Sequence, residues 1–161
     1  MAEINLLSSI PKSRRSVSER KEAKTQEHIN ISRMYGKEYF DGSREYGYGG
    51  YKYDGRWIAV AKDIIKHFNL HKGQKVLDVG CAKGFLVKDL VDLGIDAFGI
   101  DISKYAIENS VKGIKDRLFV GNANKLEFRD SEFDAVISIN TIHNLIREEC
   151  KTAILELQRV C

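Results

Sequence analysis

The sequence predicts an α/β protein with a doubly wound parallel sheet, helices covering both faces. Helix-period and strand-like segments alternate from residue 57 onward, and one strand runs through a glycine-rich turn directly into a helix. The chain also has 161 residues of which 43% are hydrophobic, the size and composition of one core-forming domain. No apolar run approaches the roughly 18 residues of a membrane span.

Residues 1–33 read as a polar basic arm. They carry seven Lys/Arg against four Asp/Glu, which accounts for the whole net charge of +3 because residues 34–161 hold nineteen of each sign. Without aromatics among the cations, the arm reads as a solvated flexible or helical lead-in rather than a nucleic-acid stripe. Ile29 and Ile31 give a thin apolar stripe for a helix over 18–34. The start lacks the pattern of a secretory signal, so the expected location is the cytoplasm.

Residues 34–56 hold six of the seven tyrosines and six of the thirteen glycines, a loop-like segment. It reads either as a packed surface loop with half-buried tyrosines or as a lid bringing Tyr39, Tyr48, Tyr51 or Tyr53 to a ligand.

Residues 57–161 are the regular domain. Trp57, Ala61, Ile64, Ile65 and Phe68 recur at helical spacing. KVLDVG is a short β-branched strand, FLVKDLVDLG returns to a helix period and stops at Gly94, and DAFGID is the next strand. A helix over 104–114 opens at a Ser103 N-cap, RLFVGNA and FDAVISIN are two more strands, and 148–160 closes as a helix.

The chemistry concentrates in VLDVGCAKGFLV, where a strand carrying Asp78 passes through Gly80, Ala82 and Gly84 into a helix. Such turns let a ligand approach the backbone. Twenty-three residues later Asp101 ends the next strand, where a nucleotide-binding unit holds a ribose diol. Charge selects the cofactor. Asp78 beside the turn would repel a pyrophosphate, and G-x-G-x-x-G is absent, which disfavours a nicotinamide oxidoreductase. A carboxylate there suits an ammonium group, as in the methionine portion of S-adenosylmethionine.

With these residues the sequence resembles the class I S-adenosylmethionine-dependent methyltransferases, whose D/E-x-G-x-G-x-G element precedes an acid ending the second strand. The resemblance implies a Rossmann-like fold. It puts Asp78 and Gly80 against the methionine part of the cofactor, with Cys81, Ala82 and Gly84 completing the turn. Asp101 takes the ribose hydroxyls with Ile102 beside it. Ala82 replaces the usual glycine, and its methyl is expected to be tolerated. Asn122 stands where the family often has an acid near the adenine amine; its carbonyl can accept that hydrogen bond beside Ala123, or it is a turn asparagine. In SINTIHNL, Asn140 could line the methionine end. His143 is either the base for the acceptor's proton or a structural hydrogen-bonder. Tyrosine faces attract a sulfonium, so Tyr39 of the lid joins the cofactor set. The family's N-P-P-Y element is absent, favouring an oxygen, carbon or small-molecule nitrogen acceptor.

The three cysteines and four histidines show no disulfide framework or metal-ligand spacing, so no metal is expected. The Cys81 thiol is assigned to packing. The resemblance covers 57–161 and supplies four of the family's seven strands, leaving the fourth as an apolar edge. A truncated domain is therefore expected; the alternative is an edge covered by a homodimer or partner chain, or by an unusual rearrangement. Two functions follow: methyl transfer to a small-molecule acceptor, and a catalytically idle fragment that binds cofactor or pairs with a subunit.

Overall fold

The computed structural model describes residues 3–10 and 25–161. Strands β1 (Lys75–Val79), β2 (Asp96–Asp101), β3 (Leu118–Val120) and β4 (Ala135–Ile137) form one parallel sheet in the order β3-β2-β1-β4. From β1 the chain steps outward through β2 to β3, then crosses back to place β4 on the other side of β1. That reversal opens a crevice at the carboxyl end of β1, where open α/β sheets hold ligands.

The central strand explains the core. Val76, Leu77 and Val79 of β1 are all buried, because neighbours on both sides and layers on both faces enclose them. One face packs on α3 (Ile58–His67) and α4 (Phe85–Asp92) through Val60, Ile64, Val87 and Leu90. The other face places Leu77, Val79 and Ile100 with Leu126, Phe133 and Val160, the last from α6 (Arg147–Val160). Each fully buried aliphatic side chain stabilises the fold by about 1.5–3 kcal/mol.

Local chemistry sets the helix starts. In α1 (Gln26–Arg33) Thr25 Oγ1 accepts from the His28 N–H while His28 Nδ1 accepts from the Thr25 N–H, both at 3.3 Å. The expected helix over 18–34 is thus realised from Gln26; residues 18–24 lie outside the described residues. Ser103 Oγ accepts from the Ala106 N–H at 3.0 Å and opens α5 (Lys104–Glu108) as expected.

Three elements are shorter than the sequence predicts. The helix expected over 104–114 ends at Glu108, because Val111 N–H donates to Lys83 O at 3.0 Å and draws the chain back to the glycine turn. The strand expected over 117–123 spans Leu118–Val120 before the chain turns at Asn122. The strand expected over 133–140 is Ala135–Ile137, pairing on one side with β1.

The polar arm also needs correction. Residues 3–10 are not solvated throughout: Leu6, Leu7 and Ile10 pack against the core cluster that contains α3. The apolar residues of NLLSSI outweigh the polar composition of the arm around them. Among the described residues, no helix is long and apolar enough to cross a membrane.

Candidate functional site

The turn after β1 hangs on the end of β2. Gly80 N–H donates to Ile100 O at 2.7 Å and Cys81 N–H to the same oxygen at 3.2 Å. Gly80 and Gly84 both take left-handed backbone, with φ of +88° and +75°. Ala82 does so too, at φ +51°, which explains why glycine is usual at this position. Its methyl packs with Phe40 and Ala106, so the strain is partly offset by contact.

Two carboxylates flank the turn. Asp78 is 5% exposed, and among the described residues no hydrogen-bond donor reaches its oxygens. Burial, with the nearby Asp101 charge adding to it, pushes its carboxyl up to about 7. Asp101 Oδ2 accepts from Ala82 N–H at 2.7 Å and Oδ1 from Ser103 N–H at 2.8 Å. Burial raises the Asp101 carboxyl despite these two bonds. Each oxygen keeps a lone pair for a further donor. Ile102, beside it, is 59% exposed, an apolar wall facing outward.

The tyrosine-rich segment lies over this turn. It contains α2 (Lys37–Asp41), where the composition predicts loop. Tyr51 stacks on Phe85 with ring centroids 4.5 Å apart, and Tyr48 and Tyr51 lie 4.2 Å apart. Burial foremost raises the phenols of Tyr39, Tyr48 and Tyr51, the last to about 12. The charge of Asp101 adds to the rise at Tyr39 and Tyr48, and that of Asp78 at Tyr51. These phenols stay protonated near neutral pH. Tyr53 is placed differently, donating its hydroxyl to Asp89 of α4.

The remaining expected residues divide. Cys81 Sγ fills the space over Gly99, where an added Cβ would come within 2.7 Å, and burial drives its thiol well above the ordinary range. Packing is the role this supports. Asn122 Oδ1 accepts from Asn124 N–H at 2.9 Å, closing the turn while keeping its second lone pair. Ala123 packs against the face that holds Leu126 and Phe133. Asn140 is exposed at φ +57°, its carbonyl accepting from the Asn144 side chain at 3.2 Å. His143 is exposed on the 3-10 turn Ile142–Asn144, with no hydrogen bond to its ring among the described residues.

Sequence reasoning missed two contributors. A Cβ on Gly80 would come within 1.8 Å of Thr141 Oγ1, so Thr141, not His143, is the post-β4 side chain against the glycine turn. Lys83 Nζ meets both oxygens of Asp41, at 2.8 and 2.6 Å, across 42 positions of sequence. Only the placement of Lys83 inside the glycine turn was a signal; no spacing rule links it to Asp41.

The sheet order, the glycine turn at the crevice and the flanking acids define a Rossmann-like α/β domain of the methyltransferase type. Residues 77–161 match the methyltransferase domain family, and the chain belongs to it. It is 34% identical over 94 residues to phosphoethanolamine N-methyltransferase 3 of Arabidopsis thaliana, covering 53% of this chain and 19% of that one. It is 30% identical over 114 residues to the demethylmenaquinone methyltransferase of Anoxybacillus flavithermus, covering 65% of this chain and 47% of that one. The chain therefore spans less than half the length of either relative. Among solved structures, the PH0226 protein of Pyrococcus horikoshii superposes with a TM-score of 0.59 at 29% identity, over 85% of this chain and 57% of that one.

Proposed function

We propose that this chain carries the cofactor site of an S-adenosylmethionine-dependent methyltransferase, passing a methyl group by in-line displacement to an oxygen, carbon or nitrogen nucleophile of a small-molecule acceptor. The observation that carries this reading is Asp78: a buried carboxylate without a donor among the described residues, two positions before a glycine of positive φ. A cationic ammonium group satisfies such an acid, and the anionic pyrophosphate of a dinucleotide does not.

In this assignment Asp78 receives the ammonium of the methionine part, Asp101 accepts from the ribose hydroxyls, and Ile102 lies along the adenine. Gly80, Cys81, Ala82 and Gly84 present backbone to the cofactor, with Asn122 and Ala123 at the adenine amine and Asn140 toward the methionine end. The cofactor supplies a methyl carbon already activated by sulfonium, so the residues mainly align the reactants and exclude water. Tyr39 and its neighbours cover the cleft, and their neutral rings suit a sulfonium. His143 is the candidate for taking the acceptor's proton.

The relatives' named acceptors, phosphoethanolamine and demethylmenaquinone, support a small-molecule acceptor without selecting one. Calorimetric titration with S-adenosylhomocysteine tests the site. Asp101→Ala should weaken binding by at least ~10-fold, the loss of a charged acceptor of hydrogen bonds. Unchanged affinity rejects the assignment.

A second reading is the catalytically idle fragment that binds cofactor or pairs with a subunit. The outer edge of β4, unpaired among the described residues, favours it, with an apolar groove beside it lined by Val136, Ile154 and Leu157. No methyl transfer from labelled cofactor across an acceptor screen, together with a stable complex in size-exclusion chromatography, would select this reading over the first.

A further inference from the structure

We infer that Lys83 is a positioning residue whose ammonium clamps the tyrosine-rich segment closed over Asp78 and Asp101, an inference that rests on reading those carboxylates as the cofactor site. Lysine is among the residues least often buried, yet Lys83 is 7% exposed, inside the glycine turn itself. Its partner Asp41 ends α2 and gathers the neighbouring elements onto one carboxylate. Asp41 Oδ2 also accepts from Tyr105 Oη of α5 at 2.7 Å, and Oδ1 accepts from Tyr51 N–H at 3.3 Å. The Lys83 ammonium lies 5.8 Å from the centroid of the Tyr105 ring.

The connection to the site is short. Immediately before Asp41, the carbonyl of Tyr39 accepts from Tyr48 N–H at 2.8 Å, and that of Phe40 from Gly50 and Tyr51 N–H at 3.0 and 2.9 Å. Fixing Asp41 therefore fixes the fold-back that carries Tyr48 and Tyr51. On the other side, Lys83 follows Ala82, whose N–H bonds Asp101. Lifting the segment away would break the charge-assisted bonds of Lys83 to Asp41 together with the Tyr105 bond to the same carboxylate, so the pair biases the segment toward the closed state. A ligand held beneath then escapes only as fast as this pair opens.

Hydrogen exchange and stopped-flow release of S-adenosylhomocysteine test the clamp together. Lys83→Met and Asp41→Asn should each speed exchange of the Tyr48, Gly50 and Tyr51 amides at least tenfold, and speed ligand release at least tenfold. Lys83→Arg, which keeps the charge, should stay nearer the wild type in both. Asp41→Asn leaves the glycine turn unaltered, so it keeps the test valid if Lys83→Met folds poorly. Wild-type exchange at these amides in both Lys83→Met and Asp41→Asn overturns the clamp, as does wild-type ligand release. A wild-type chain that takes up no S-adenosylhomocysteine overturns the cofactor reading instead, while exchange still decides whether Lys83 holds the segment.

Discussion

Asp78 keeps its carboxyl near neutrality at the cost of the fold. Its folded pKa of about 7 lies above the unfolded value of about 3.9, so between those values the folded state holds more protons than the unfolded one. Stability from this group is full below the unfolded value and is lost as pH rises through about 7. The separation of the two values corresponds to about 4 kcal/mol. Asp78→Asn mimics the protonated form, so in urea unfolding it should exceed the wild type by about 2–4 kcal/mol at pH 8, the gap closing toward pH 4. The same variant should lose S-adenosylhomocysteine binding. Equal stability of the two proteins at pH 8 would mean that Asp78 is not a strained, buried acid.

The turn between β1 and α4 shows how one element depends on glycine for two separate reasons. At Gly84 the backbone is left-handed, and an added Cβ would come within 2.7 Å of Ile114 Cδ1 and 2.8 Å of Leu118 Cδ1. The left-handed conformation costs a side chain about 1–2 kcal/mol, and crowding the packed core adds about 1–3 kcal/mol. Gly84→Ala should therefore lower the urea-unfolding free energy by about 2–4 kcal/mol, even with the aliphatic ends giving way. A loss under about 0.5 kcal/mol would show that helix and sheet can separate here without penalty. This turn was legible in the sequence because its glycines are close together and follow an apolar run. The ends of α5, β3 and β4 were not, because contacts made elsewhere stop them: Val111 bonds back to Lys83, and among the described residues β4 pairs with β1 alone.

At the scale of the whole molecule, a segment before the domain contributes to the core. Leu6, Leu7 and Ile10 are partly buried against the cluster holding α3, and Ser9 Oγ donates to Asp63 Oδ2 at 3.3 Å. Burial worth about 1 kcal/mol at each of the three apolar side chains predicts that removing residues 1–10 lowers stability by about 2–3 kcal/mol. Thermal unfolding of the shortened chain measures this; an unchanged midpoint would return the segment to a solvated role. The same long-range packing holds the tyrosine-rich segment against the domain, joining α2, α5 and the glycine turn through Asp41.

The parallel α/β architecture, the glycine turn and the two acids can be read from the amino-acid order, because they are encoded in periods and spacings over a few neighbouring residues. That order also placed Cys81 in packing. Folding in three dimensions is what brings Thr141 rather than His143 to the glycine turn, pairs Lys83 with Asp41, and seats Leu6, Leu7 and Ile10 on the core. Those contacts unite residues far apart in the chain and arise only after the sheet has formed; excluding water favours the apolar ones, and charge-assisted hydrogen bonding favours the Lys83–Asp41 pair.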